Sequence, residues 1–178
     1  MSEYMLIDAH SQKNDFKYVI LRYFNVAGAD SSGKIGQNYP NPTHLIKILS
    51  RVVLGKQNEF NIFGDDYPTR DGTAIRDYIH VEDLAYAHLE ALKYLLNNDK
   101  CNILNCGYGK GYTVQEVVSA MKKISGQDFT VNIKEKRPGD PAELVADNTK
   151  ILSNTGWKPR FNDIEYICKT ALEWEKKI

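Results

Sequence analysis

Cysteine is scarce: three residues in 178, Cys101, Cys106 and Cys168, with no C-x-x-C pair among them. An odd, scattered set excludes a disulfide framework and a thiolate zinc site, and a reducing cytoplasm is the expected home. Charge of one sign is also missing, because 23 Lys and Arg balance 23 Asp and Glu. No overall field draws in nucleic acid or anionic lipid, so neither a nucleic-acid partner nor a membrane is expected. An anionic ligand must be held by a few placed cations. No apolar run approaches the ~20 residues of a membrane span. The acidic first ten residues lack the apolar centre of a signal peptide. Repeats and low-complexity stretches are absent too. What remains is 42% hydrophobic and 26% charged, the balance of a soluble globular chain. Its length suits one domain or slightly more, burying roughly 70% of the unfolded surface.

Strand-like and helix-like segments alternate. Residues 1–11 read as a helix that begins without an N-cap. Lys17 to Phe24 (KYVILRYF) is an apolar, β-branched run with strand character. A Gly-, Asn- and Pro-rich loop follows, after which Thr43 can cap a helix that runs to Leu54 and stops at Gly55. Short strands are expected at 61–63, 77–81, 102–105 and 129–133. Leu84, Ala87, Leu89, Leu92 and Leu95 stand at helical spacing within 82–96, and further helices are expected at 114–124 and 163–177. Strands separated by helices give an α/β fold with a partly parallel sheet.

One segment invites over-reading. Asn102 to Val114 (NILNCGYGKGYTV) places Gly107, Gly109 and Gly111 between a strand and a helix, as dinucleotide-binding turns do. The spacing is G-x-G-x-G rather than G-x-G-x-x-G, it comes late in the chain, and no ribose-binding acid follows at a strand end. A plain turn is the better reading.

Three other segments carry candidate chemistry. In Asp66 to Ala85 (DYPTRDGTAIRDYIHVEDLA), Arg76 can present a guanidinium fork to phosphate oxygens and Tyr78 a ring to a base or ribose. A surface Arg76–Asp77 pair and a strand tyrosine account for the same residues. His80 alone reads as a hydrogen-bonded core histidine rather than a base. In Lys136 to Pro141 (KRPGDP), Pro138 and Gly139 form a rigid turn that aims Arg137 and Asp140, a cation and an acceptor suited to phosphate and ribose diol. A solvated turn is the alternative. Arg22 to Asn25 (RYFN) ends a strand at the carboxyl edge where open α/β sheets bind ligands, which makes Asn25 a contact candidate.

Taken in order, LRYFNVAGA (Leu21 to Ala29), IFGDDYPTRDGTAIRDYIHVEDLA (Ile62 to Ala85), NCGYGKGYTV (Asn105 to Val114) and RPGDPA (Arg137 to Ala142) resemble the UDP-glucose 4-epimerase family of extended short-chain dehydrogenase/reductases. The D-Y-P-T-x-D-G-T-x-x-R-D-Y-I-H-V block is the most specific part. The resemblance covers nearly all 178 residues and corresponds to a little over the last half of a family member. It implies part of a Rossmann-type parallel sheet plus a smaller C-terminal α/β substrate-binding domain. Residues 1–26 would be a remnant of the NAD-binding domain. Residues 27–178 would mainly hold UDP-sugar, with a return to the Rossmann sheet near 61–100.

By that similarity, Arg76 and Arg137 hold the pyrophosphate of a UDP-hexose, Asp140 its ribose, and Asn25 a point near the phosphates. Leu45, Asn61, Phe63, Tyr78 and Val114 belong to the uridine side, while Tyr23 and Phe24 approach the nicotinamide of NAD. Where the family usually has Asn this chain has His44, and where some members have a bulky Tyr it has Glu143. The family's Tyr-x-x-x-Lys pair, its catalytic Ser or Thr and its G-x-x-G-x-x-G turn are not in the sequence. The resemblance therefore implies a C-terminal portion, inactive alone, that needs an N-terminal half and works as a homodimer when complete. A non-catalytic UDP-binding module, or part of a related dehydratase or decarboxylase, are the other readings.

Overall fold

The β-branched run after Lys17 does become a strand, and the rest of the chain folds around a few such extended segments. The structure is a computed structural model describing residues 1–13 and 15–178. The strands are β1 (Val19–Tyr23), β2 (Asn25–Ala27), β3 (Phe60–Phe63), β4 (Ile75–His80), β5 (Asn102–Cys106), β6 (Gly111–Thr113), β7 (Val131–Lys134) and β8 (Glu143–Leu144). The helices are α1 (Ser2–Gln12), α2 (Leu45–Val53), α3 (Val81–Asn98), α4 (Val114–Ser125), α5 (Thr149–Asn154) and α6 (Ile164–Glu175).

β1 pairs in parallel with β5, and Tyr23 stands opposite Cys106. β4 is the hub of a second sheet. β2 lies parallel to its second half and β6 antiparallel to its first, while β8 pairs with Ile75 and Arg76. β3, which carries Asn61, pairs in parallel with β7, with Phe63 opposite Lys134. Parallel neighbours so far apart in sequence need crossovers, and the helices supply them.

α2, α4 and α6 pack on one another, burying Leu49, Val117, Val118, Met121, Ile167 and Cys168 with Trp157 beneath. With Ile46 and Val53 on α2 and Ala171 and Leu172 on α6, the buried positions recur at three- and four-residue spacing, so each helix has one apolar stripe to hide. The helix ends have local causes. Thr113 and Glu116 form a reciprocal capping box on α4, and Gly126 closes it at φ 67°. Asp163 accepts from the amides of Glu165 and Tyr166 to start α6.

On α2 the expected cap is corrected. His44, not Thr43, is the N-cap residue, and no side chain caps the helix. β2, β6, β8 and α5 are not among the expected elements; the three strands have only two or three residues, and α5 is less than two turns long. α1 buries none of its residues, so Tyr4 and Met5 stand exposed. It is tethered to β1 by the Arg22–Glu3 ion pair. Leu89, Leu92 and Leu96 form a second exposed apolar row, on α3. Among the described residues no helix is long and apolar enough to cross a membrane.

Candidate functional site

Every candidate cation of the site is positioned by β4 or by the turn that leans against it. Neighbouring strand residues point to opposite faces, so Arg76 and Asp77 cannot pair as a surface couple. Arg76 instead forms an ion pair with Asp140, and its Nη1 donates to the carbonyl of Ile75 at 2.7 Å. The amide of Asp140 donates to the carbonyl of Arg137 at 3.2 Å, and Gly139 has φ 77°. Pro followed by a positive-φ Gly is the pattern of a type II turn, as the RPGD string requires.

Arg137 lies over the ring of Phe63 at the end of β3, 3.9 Å from guanidinium carbon to centroid. Lys136 pins the same strap from the other side. Its ammonium sits 4.6 Å from the Tyr67 centroid and 2.8 Å from Asp66 Oδ1. Phe63, Arg76, Arg137 and Asp140 are thereby brought into one cluster from three separate segments.

Other expected residues border this cluster or lie away from it. The side-chain amide of Asn25 donates to the carbonyl of Asp77 at 3.2 Å. Glu143 pairs with Ile75 across β8, and the amide of Val114 donates to Ala74 at 3.1 Å. Tyr78 is only 4% exposed and belongs to the core, so it offers no open ring face, and burial drives its phenol pKa well upward. Asn61 has its Oδ1 buried without a hydrogen-bond partner. His44 and Leu45 begin α2, where the Nδ1 of His44 faces the side-chain amide of Gln37 at 3.1 Å. Tyr23, 54% exposed, stands beside His88 at the carboxyl end of β1, and Phe24 is half-buried next to it.

The glycine loop has a different task from the one its spacing imitates. The amides of Tyr108 and Gly109 donate to the buried carboxylate of Asp77 at 3.0 and 2.9 Å, and that of Ala146 does so at 3.2 Å. A Cβ at Gly107 would come within 2.6 Å of that carboxylate, and one at Gly111 within 2.3 Å of Ile75. The glycines allow the loop to close on β4, and its amides are spent on Asp77 rather than available to a phosphate. Burial raises the Asp77 pKa even against these donors. Nothing but adjacency pointed to Asp77 in the sequence, and adjacency suggested the wrong partner.

His80 is fully buried, as a core histidine. Its Nδ1 accepts from the amide of Glu82 at 3.2 Å, and its Nε2 lies 3.2 Å from the hydroxyl of Thr170. Burial lowers its pKa below the ordinary 6.5, so the folded chain refuses a proton that the unfolded chain accepts. Stability is therefore expected to fall as pH drops below about 6.5 toward the depressed value. The raised pKa of Asp77 acts in the opposite sense at lower pH, above the usual 3.8. Urea midpoints at pH 7.5 and 5.5 check this. The wild type loses stability between them, and His80→Gln loses clearly less; equal losses would exclude His80 as the cause.

The sequence also missed a cavity of about 500 Å³ at the carboxyl ends of β2 and β4. Gly28, Ile35, His44, Lys47, Glu82 and Trp174 are among its lining residues. Lys47 there pairs with the buried Glu175.

With this geometry, the chain can be set beside known proteins. The model of the NAD dependent epimerase/dehydratase family matches residues 1–107. The UDP-glucose 4-epimerase of Azospirillum brasilense is 46% identical over all 178 residues, which is 51% of that enzyme's length. The structure of the UDP-Glc/GlcNAc 4-epimerase from Campylobacter jejuni is 51% identical with a TM-score of 0.84, covering 100% of this chain and 54% of that one. The UDP-glucose 4-epimerase from Stenotrophomonas maltophila, with bound NAD and formylated UDP-arabinopyranose, is 37% identical with a TM-score of 0.94 over 99% of this chain and 52% of that one. The chain thus spans about half the length of the relatives it matches. By sequence and by fold, it belongs to the NAD dependent epimerase/dehydratase family.

Proposed function

We propose that these residues are the UDP-sugar-binding portion of a UDP-glucose 4-epimerase that interconverts UDP-glucose and UDP-galactose. One observation carries the reading: two arginines, an acid and an aromatic ring from distant segments converge at Arg76, Arg137, Asp140 and Phe63. Arg76 and Arg137 hold the diphosphate, Asp140 the ribose diol, Phe63 the uracil side, and Asn25 a point near the phosphates. Inversion at C4 requires the hexose to turn over in its site, so the grip belongs on the nucleotide. Binding energy from that non-reacting end positions the carbon that reacts.

NAD, when bound, supplies the acceptor and donor of the C4 hydride. Tyr23, open at the end of β1, and the adjacent Phe24 would contact its nicotinamide. The glycine turn at 107–111 has its Tyr108 and Gly109 amides engaged by Asp77, so the cofactor's phosphates are assigned to an N-terminal half together with the C4 proton. The half-length match to the relatives and the exposed apolar rows of α1 and α3 support a completing NAD-binding half. The completed protein is proposed as a cytoplasmic homodimer, its three cysteines free.

The test is an amide NMR titration of the chain with UDP, followed by an assay for UDP-galactose conversion with NAD. Amides of residues 76 and 137–140 are expected to shift, and turnover by the chain alone is expected to be nil. Resonances indifferent to millimolar UDP would remove the nucleotide reading. Turnover would remove the division of labour.

A further inference from the structure

In the Arg76–Asp140 ion pair, two groups assigned to different parts of the ligand hold each other. The Arg76 side chain is 13% exposed and Asp140 31%. A guanidinium so withdrawn from water needs an anion nearby, and Asp140 provides it. Asp140 is also held in place independently of that contact. Its turn is closed by its own amide, and its strap is pinned by Lys136 on Asp66 and by Arg137 on Phe63.

We propose, resting on the UDP reading above, that Asp140 is a placeholder on Arg76 that selects nucleoside diphosphates over inorganic pyrophosphate. A diphosphate reaching Arg76 must displace the carboxylate. Inorganic pyrophosphate offers the released carboxylate nothing and repels it. A nucleoside diphosphate carries a ribose whose two hydroxyls donate to that carboxylate, so both partners of the broken pair are satisfied again. The exchange closes only when sugar and phosphate arrive together. Asp140 is thus a specificity residue for the nucleoside as well as a contact to it.

Calorimetric titration of the chain with UDP and with inorganic pyrophosphate tests this on wild type, Asp140→Asn, Asp140→Ser and Glu135→Gln. Glu135 is an exposed carboxylate of the same strap, outside the pair. Both Asp140 variants are expected to tighten pyrophosphate about threefold or more and to weaken UDP, collapsing the preference. Glu135→Gln is expected to leave both constants in place. Unchanged or weaker pyrophosphate binding in the Asp140 variants overturns the placeholder while leaving UDP binding intact. Equal tightening in Glu135→Gln also overturns it, in favour of bulk repulsion. A wild type that binds neither ligand overturns the site itself.

Discussion

Asp83→Ala is expected to lower the unfolding free energy of the chain by about 3–5 kcal/mol, enough to leave little folded protein at physiological temperature. Asp83 sits in the first turn of α3, where the helix dipole favours an anion, and it is almost wholly buried. Its carboxylate accepts from the hydroxyl of Tyr108 at 2.6 Å and from the amides of Arg160 and Phe161, each at 2.9 Å. Alanine would leave the buried Tyr108 hydroxyl and the part-buried amides of Arg160 and Phe161 without their acceptor. Asp83→Asn keeps the shape but can accept with one oxygen only, and about half the loss is expected. Tyr108→Phe removes one donor and should cost about 1 kcal/mol. A double-mutant cycle between the two positions isolates the coupling. Urea unfolding with an Asp83→Ala loss below 1 kcal/mol would show that these bonds are replaceable.

The same network shows where sequence reading reaches and where it stops. β1 and α3 are legible to within two residues, β1 from its apolar, β-branched run and α3 from its helical spacing of leucines. β6 and β8 owe their extended form to the edge of β4, which no local pattern encodes. Adjacency offers an Arg76–Asp77 surface pair as the alternative to a phosphate-binding Arg76. Strand alternation already forbids that pair, sending Arg76 toward Asp140 and Asp77 under the glycine loop. The RPGD turn was readable from Pro and Gly alone. Its meeting with Arg76, 64 positions away, was not, and only the family resemblance put both into one site. The cavity beside His44 arises from segments of the 27–42 loop, α2, α3 and α6 that have no shared motif.

Arg76→Ala is expected to weaken UDP binding by roughly 10- to 150-fold, the worth of about 1.5–3 kcal/mol for a charge-assisted contact. The loss has two parts: phosphate oxygens lose a largely buried fork, and Asp140, without its partner, presents an uncompensated carboxylate to the same anion. Arg76→Lys restores the charge but not the planar pair of donors, so it should recover only a minor part. Arg137→Ala should cost less, about three- to tenfold, because Arg137 is exposed and its stacking on Phe63 is worth about 0.5–1 kcal/mol in water. Chain stability should scarcely change in Arg137→Ala, which separates a binding effect from unfolding. Titration calorimetry with UDP reads all three. An Arg76→Ala affinity within threefold of wild type would move the diphosphate away from β4, and with it the reason for Arg76 to face Asp140 across the strap.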